Sequence, residues 1–266
     1  MQKINKLIER IREIGECYLM FSGGMDSCAI LGAAKMAHVT VTPVWIDNGF
    51  GRASEYLIRK QVGLISHEEL RIIPVNPIPK AIENPTDRCY HCKGQIIKAI
   101  QDLGSDVLII DGTTGSDTGY RPGRKALSEH GVISPLAELG ITSAEAKEIA
   151  IKMGADQDIA DLESCLATRI NYNVALLEKT LDVVRNIEQA VIAETQDYNV
   201  RCRVDDADHI RIELSNEESF KAIANREFRN NLITLGEQFA MFTTIDLKPS
   251  RPNAYDSRIC NLDTGK

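Results

Sequence analysis

Short apolar runs alternating with amphipathic stretches predict an α/β fold, a doubly wound parallel sheet followed by a smaller C-terminal α+β domain. Three observations carry this reading. Residues 18–21, 39–46, 71–75 and 107–110 read as buried strands separated by helical periods. Ser22, Asp47 and Asp111 stand at the ends of such runs, where ligands of parallel sheets bind. After about Asn171 the pattern changes to one long helical stretch, two alternating strands and a further helix, so the domains are drawn at 1–170 and 171–266.

Each element has a local reason. Ile4, Leu7, Ile8, Ile11 and Ile14 recur at helical spacing before Gly15. Helices are expected over 28–35 and 55–67, after Cys92, and over 144–153 behind the N-cap Thr142. In the second domain the spacing predicts a helix over 176–194, strands over 201–204 and 210–214, and a helix over 217–227. An apolar stretch follows over 239–247, and the chain from Pro249 onward reads as loosely structured.

Composition narrows the function classes. The chain has 266 residues with 43% hydrophobic and 26% charged side chains, ordinary for a globular protein. A net charge of −7 argues against a broad nucleic-acid surface. No apolar run approaches the ~18 residues of a membrane span, and Lys3, Lys6, Glu9 and Arg10 interrupt any export signal. Seven cysteines, an odd number, fit working thiols in the cytoplasm better than a disulfide framework.

Ser22-Gly23-Gly24-Met25-Asp26-Ser27 lies between a strand and a helix. Paired glycines let backbone N–H groups approach phosphate oxygens, and the helix start adds a favourable dipole. Ser22 and Ser27 can donate hydroxyl hydrogen bonds, and Asp26 can help to hold Mg2+. Neither a Walker A loop nor a dinucleotide Gly-x-Gly-x-x-Gly is present. The segment matches the SGGxDS signature of the PP-loop ATP pyrophosphatases. That resemblance implies cleavage of ATP between its α- and β-phosphates and formation of an adenylate.

Cys89 and Cys92 form the single C-x-x-C pair, and Cys165 is the next candidate thiolate. Three thiolates suit a 4Fe-4S cluster with one open iron; with His91 they could bind zinc, and a redox pair is the third option. Cys17, Cys28 and Cys202 fall inside predicted elements and read as buried structural thiols, while Cys260 lies in the tail. Arg201 and Arg203 alternate on one strand and therefore share a face, as do Arg211 and Glu213 on the next. Two guanidiniums on one face suit a nucleotide phosphate, or simply a solvated hairpin.

The phosphate loop, Asp87-Arg-Cys-Tyr-His-Cys-Lys, Asp111-Gly-Thr, the run from Gly119 to Thr142, and Glu163-Ser-Cys-Leu-Ala-Thr-Arg occur here in order. Together they resemble the LarE family of ATP-dependent sulfur transferases, over residues 15–170. The resemblance implies adenylation of a carboxylate of pyridinium-3,5-biscarboxylic acid mononucleotide, then replacement of oxygen by sulfur, in nickel-pincer nucleotide synthesis. It implies Ser22, Gly23, Gly24, Asp26, Ser27, Asp47 and Thr113 around ATP and pyrophosphate, and Arg201 and Arg203 at the substrate phosphate. It also implies Glu188 and Glu213 as candidate magnesium ligands, and a homo-oligomer. Family members with cysteines matching Cys89, Cys92 and Cys165 carry a 4Fe-4S cluster that transfers sulfide from a donor. Others sacrifice the sulfur of the residue matching Cys165. Three thiols favour the cluster type. The stretch Trp45–Arg52, Asn171-Tyr172-Asn173 and the tail from Pro249 depart from the family's usual pattern.

A PP-loop tRNA thiolase with three cysteines is the nearest rival; tight, salt-sensitive tRNA binding would favour it. An amide-forming synthetase leaves the three thiols without a role. A non-catalytic nucleotide or iron–sulfur module would release no pyrophosphate.

Overall fold

In the computed structural model, which describes residues 2–104, 107–117, 121–206, 208–252 and 254–256, every strand expected in the first half forms. Gly119, within the motif run, and Cys260 lie outside the described residues. Helix α1 (Gln2–Ile14) leads into β1 (Cys17–Met20), α2 (Met25–Ala37), β2 (Val41–Asp47), α3 (Glu55–Ile65) and β3 (Arg71–Pro74). There follow α4 (Pro79–Ile82), α5 (Arg88–Gln101), β4 (Leu108–Ile110), α6 (Pro122–Glu129), α7 (Pro135–Glu138), α8 (Ser143–Lys152) and α9 (Gln157–Asp161). A 3-10 turn (Leu166–Arg169) precedes α10 (Glu178–Thr195), β5 (Arg201–Asp206), β6 (His209–Glu213), α11 (Glu217–Ala222), α12 (Arg226–Gly236) and β7 (Phe242–Ile245).

Two compact units result, Met1–Ile78 with Cys89–Ser164, and Pro79–Arg88 with Cys165–Lys266. In the first, four parallel strands lie in the order β3-β2-β1-β4. Side chains alternate across β1: Cys17 and Leu19 join the core under α1, α2 and α8, whereas Tyr18 and Met20 face the core of α5 and α6. Helices therefore cover both faces, as the near-continuous apolar strands require. The Thr142 cap expected from sequence forms a full capping box with Glu145 at the start of α8.

The second unit carries the three-stranded sheet β5-β6-β7, with β5 antiparallel to β6 and β7 parallel to it. Pro79–Arg88 belongs there because buried Asn84 donates its amide to the carbonyls of Ile170, Asn171 and Val174. Arg88 hydrogen-bonds Asn84 and stacks 4.9 Å over the Tyr172 ring.

Three expectations need correcting. Helix α5 starts at Arg88 rather than after Cys92, so the C-x-x-C pair lies within its first two turns. Its apolar stripe (Ile97, Ile100) begins later, which hid the earlier start. The helix expected over 217–227 is two helices, because the Asn225 side chain accepts from the amides of Glu227 and Phe228 and starts α12 afresh. The tail is not loose over its first residues: Ser250 N–H donates to Leu214 O, and buried Tyr255 donates to Asp205.

Candidate active site

The first unit places a candidate anion cradle where β1 runs into α2. Gly23 holds φ +87, which strains any residue with a β-carbon, and a β-carbon there would also lie 2.5 Å from Ile58 Cδ1, so glycine is favoured. Gly24 caps α2 in an extended conformation. Ser27 Oγ donates to Gly24 O at 2.9 Å and lies 3.3 Å from Ser22 Oγ, placing both hydroxyls at the helix start. The segment after β4 closes in beside them, with Gly112 packed on the Ser27 amide. Thr113, predicted to meet nucleotide, donates its hydroxyl to Asp111 at 2.6 Å; Asp111 is buried and also takes the Ser134 hydroxyl. Asp47 is exposed at the carboxyl end of β2 and accepts the Gly49 amide.

Negative charge gathers at this cradle. Asp26 is pushed up to about 7, first by burial and then by the charges of Asp117 and Glu163. Glu163 packs against Gly24, where an added β-carbon would meet its Oε2 at 3.2 Å. Sequence reasoning assigned no role to Asp117 or Glu163, although Glu163 sits two residues before Cys165. An anion cradle facing carboxylates fits a Mg2+ ion, which binds through one or two carboxylates plus substrate phosphates. Among the described residues no three His, Cys, Asp or Glu side chains form a ready metal-ligand set.

The cysteines sort by environment. Burial pushes the Cys17 and Cys28 thiols up to about 12 and raises Cys202 as well, which leaves them protonated and inert. Cys89 and Cys92 are half-buried within the first two turns of α5, and Cys165 is exposed in the second unit, preceding the 3-10 turn. Asn48, directly after β2, offers its amide to Cys92 Sγ at 3.7 Å.

In the second unit the predicted charged residues are tied to one another. Arg203 is buried against Glu213 and donates to the carbonyls of Thr168 and Arg251. Burial lowers the Arg203 pKa. Burial alone would raise Glu213, but the Arg203 charge and the Arg211 hydrogen bond outweigh it and hold the carboxyl below its ordinary range. Arg211 extends the network to Asp205 and Asp246, and Arg251 joins Glu213 and Asp246. Arg251 lies in the tail that sequence reading set aside, and its Nε is buried with no partner among the described residues. Glu188 pairs with buried Arg169 at 2.6 Å and accepts the Cys202 amide. Both Glu188 and Glu213 are thus taken up by guanidiniums. Arg201 is half-buried and donates to Ser250 Oγ and Asn199 O.

Iodoacetamide is expected to modify Cys165, Cys89 and Cys92 in the folded, iron-free protein, and Cys17, Cys28 and Cys202 only after unfolding, as read by peptide mass spectrometry. Because the fold favours protonated Asp26, its contribution to stability is greatest below the ordinary carboxyl value and is lost as pH rises through about 7. Without divalent cation, Asp26→Asn should therefore raise the melting temperature at pH 8 and do little at pH 4. Glu213→Ala strands Arg203 and should cost about 3–5 kcal/mol in urea unfolding.

No family model matches the chain. It is 28% identical over 260 residues to an uncharacterized protein of Synechocystis, covering 92% of this chain and 94% of that one. It is 27% identical over 198 residues to an uncharacterized protein of Methanocaldococcus jannaschii, covering 71% and 75%. A third relative, 23% identical over 201 residues and covering 71% of this chain and 69% of its own length, is the pyridinium-3,5-bisthiocarboxylic acid mononucleotide synthase of Lactiplantibacillus plantarum. The chain is thus a distant relative of an enzyme that makes a thiocarboxylated nucleotide.

Proposed function

We propose that the chain is an ATP-dependent sulfur transferase that adenylates a carboxylate of a small nucleotide and replaces the activated oxygen with sulfur. The acceptor we assign is pyridinium-3,5-biscarboxylic acid mononucleotide, and the assembly a homo-oligomer. One observation carries the reading furthest. Cys92 is held by Asn48 just past the carboxyl end of β2, and the neighbouring strand β1 opens into the phosphate cradle. A half-buried thiol and a candidate pyrophosphate cradle at the same end of one sheet suit adenylation followed by sulfur delivery. The distant synthase adds weight to the substrate class.

In this scheme an acceptor carboxylate oxygen attacks the α-phosphorus of ATP, and the bond to pyrophosphate breaks. The amides of Gly23 and Gly24 and the hydroxyls of Ser22 and Ser27 hold the departing pyrophosphate, stabilising charge as it develops. Asp26 would hold Mg2+ together with phosphate oxygens and water. Hydrosulfide then attacks the acyl carbon, AMP leaves with the former carboxylate oxygen, and a thiocarboxylate remains. We assign a 4Fe-4S cluster to Cys89, Cys92 and Cys165, the thiols that are not buried in a chain whose other described cysteines are. Such a cluster would supply an open iron, a Lewis acid that binds sulfide. Arg201 is assigned to contact the acceptor phosphate, and Arg203, buried on Glu213 and the carbonyls of Thr168 and Arg251, to lend positive charge behind it. Glu188 and Glu213 orient Arg169 and Arg203.

Anaerobic iron and sulfide analysis, run beside pyrophosphate release with the acceptor, tests this. Brown protein with about four irons per chain, losing its colour in Cys165→Ala, is expected. Iron-free active protein that loses hydrogen sulfide from Cys165 points to sacrificial transfer, and absence of pyrophosphate release with ATP and acceptor overturns adenylation.

A further inference from the structure

The loop that joins β2 to α3 is built as though it had two loads to carry. It turns at Asn48-Gly49, where Asn48 Oδ1 accepts the Phe50 amide at 3.1 Å, and it is pinned by buried Phe50 and by Arg52, only 4% exposed. Its first arm is the Asn48 amide, directed at Cys92 Sγ. The second is Arg52. Its guanidinium donates to Asp161 O at 2.6 Å and Leu162 O at 3.4 Å, and its backbone N–H donates to Ser164 O at 3.1 Å. Those carbonyls belong to the end of α9 and the segment after it, where a helix leaves its last acceptors open and a cation is favoured. The same segment lays Glu163 against Gly24 and leads through Ser164 directly into Cys165.

We propose that the Asp47–Arg52 loop is a positioning bracket, in which Asn48 sets Cys92 and Arg52 sets the 161–164 segment that bears Glu163 and runs into Cys165. The proposal rests on the sulfur-transfer reading for its purpose and on the loop's own contacts for its geometry. A buried guanidinium is costly unless its donors are used, and here the planar fork spans two successive carbonyls, which a lysine ammonium cannot reproduce. The resemblance to the LarE family does not supply this loop, since Trp45–Arg52 departs from the family's pattern. Asn48 and Arg52 are thus positioning residues. They act through Cys92 and through the chain before Cys165.

The test uses the full chain, purified anaerobically, with Arg52→Lys and Asn48→Ala compared against the parent. By hydrogen exchange, Arg52→Lys should speed the amides of 160–164 by about 10-fold or more while α2 keeps its protection. Asn48→Ala should leave 160–164 unchanged. In turnover, Asn48→Ala, which leaves the 161–164 segment and Glu163 in place, should keep the KM for ATP and the rate of pyrophosphate release within about 3-fold, and lose about 10-fold or more in thiocarboxylate formation. Adenylation and sulfur transfer falling together in Asn48→Ala would mean simple loss of structure and overturn the bracket. So would 160–164 amides as slow in Arg52→Lys as in the parent. A parent that releases no pyrophosphate sinks the functional reading instead, and the exchange comparison then decides the bracket alone.

Discussion

The exit of β1 into α2 is the constraint on which the candidate site depends. Gly23 must hold a left-handed conformation with the Ile58 side chain where a β-carbon would go. Only then do the next residues present an extended Gly24 and two serine hydroxyls at the start of a 13-residue helix. The parallel pairing of β1 with β2 and β4 then brings Asp47, Asn48 and the Asp111–Thr113 segment to the same end of the sheet.

That end carries an electrostatic contradiction. Backbone amides and a helix start favour an anion, while Asp26, Asp117 and Glu163 disfavour one. The raised Asp26 carboxyl is the cost of leaving the two unreconciled. A divalent cation brought in with nucleotide phosphates would remove it, because such an ion neutralises carboxylates and phosphates together.

The second unit solves a different problem. Arg203 and Glu213 are both buried, and such pairs persist only where further hydrogen bonds satisfy them. Here the carbonyls of Thr168 and Arg251, together with Arg211, supply those bonds. Through Thr168 the network reaches the 3-10 turn that follows Cys165, whose own carbonyl accepts the Thr168 amide and hydroxyl. The charged face that looked like a phosphate platform is also the scaffold of a thiol-bearing turn.

Much of this was legible in the residues themselves. Period-two and helical apolar patterns, the Thr142 cap and the SGGMDS turn are local features, so the α/β class, the four parallel strands and the glycine turn between β1 and α2 could be read directly. Burial of Cys17, Cys28 and Cys202 followed from their place inside apolar elements. The start of α5, the break at Asn225 and the ordered tail were not legible, because each depends on a side chain meeting a partner or on an end without an apolar stripe. The same holds for Glu163 over Gly24, Arg52 under the 161–164 segment, and the arginines that occupy Glu188 and Glu213. Sequence by itself determined the strands of the parallel sheet, the longer helices and which residue types could bind phosphate or sulfur. Tertiary structure decided which of those groups are paired, buried or presented, since desolvation and charge pairing act between residues far apart in the chain.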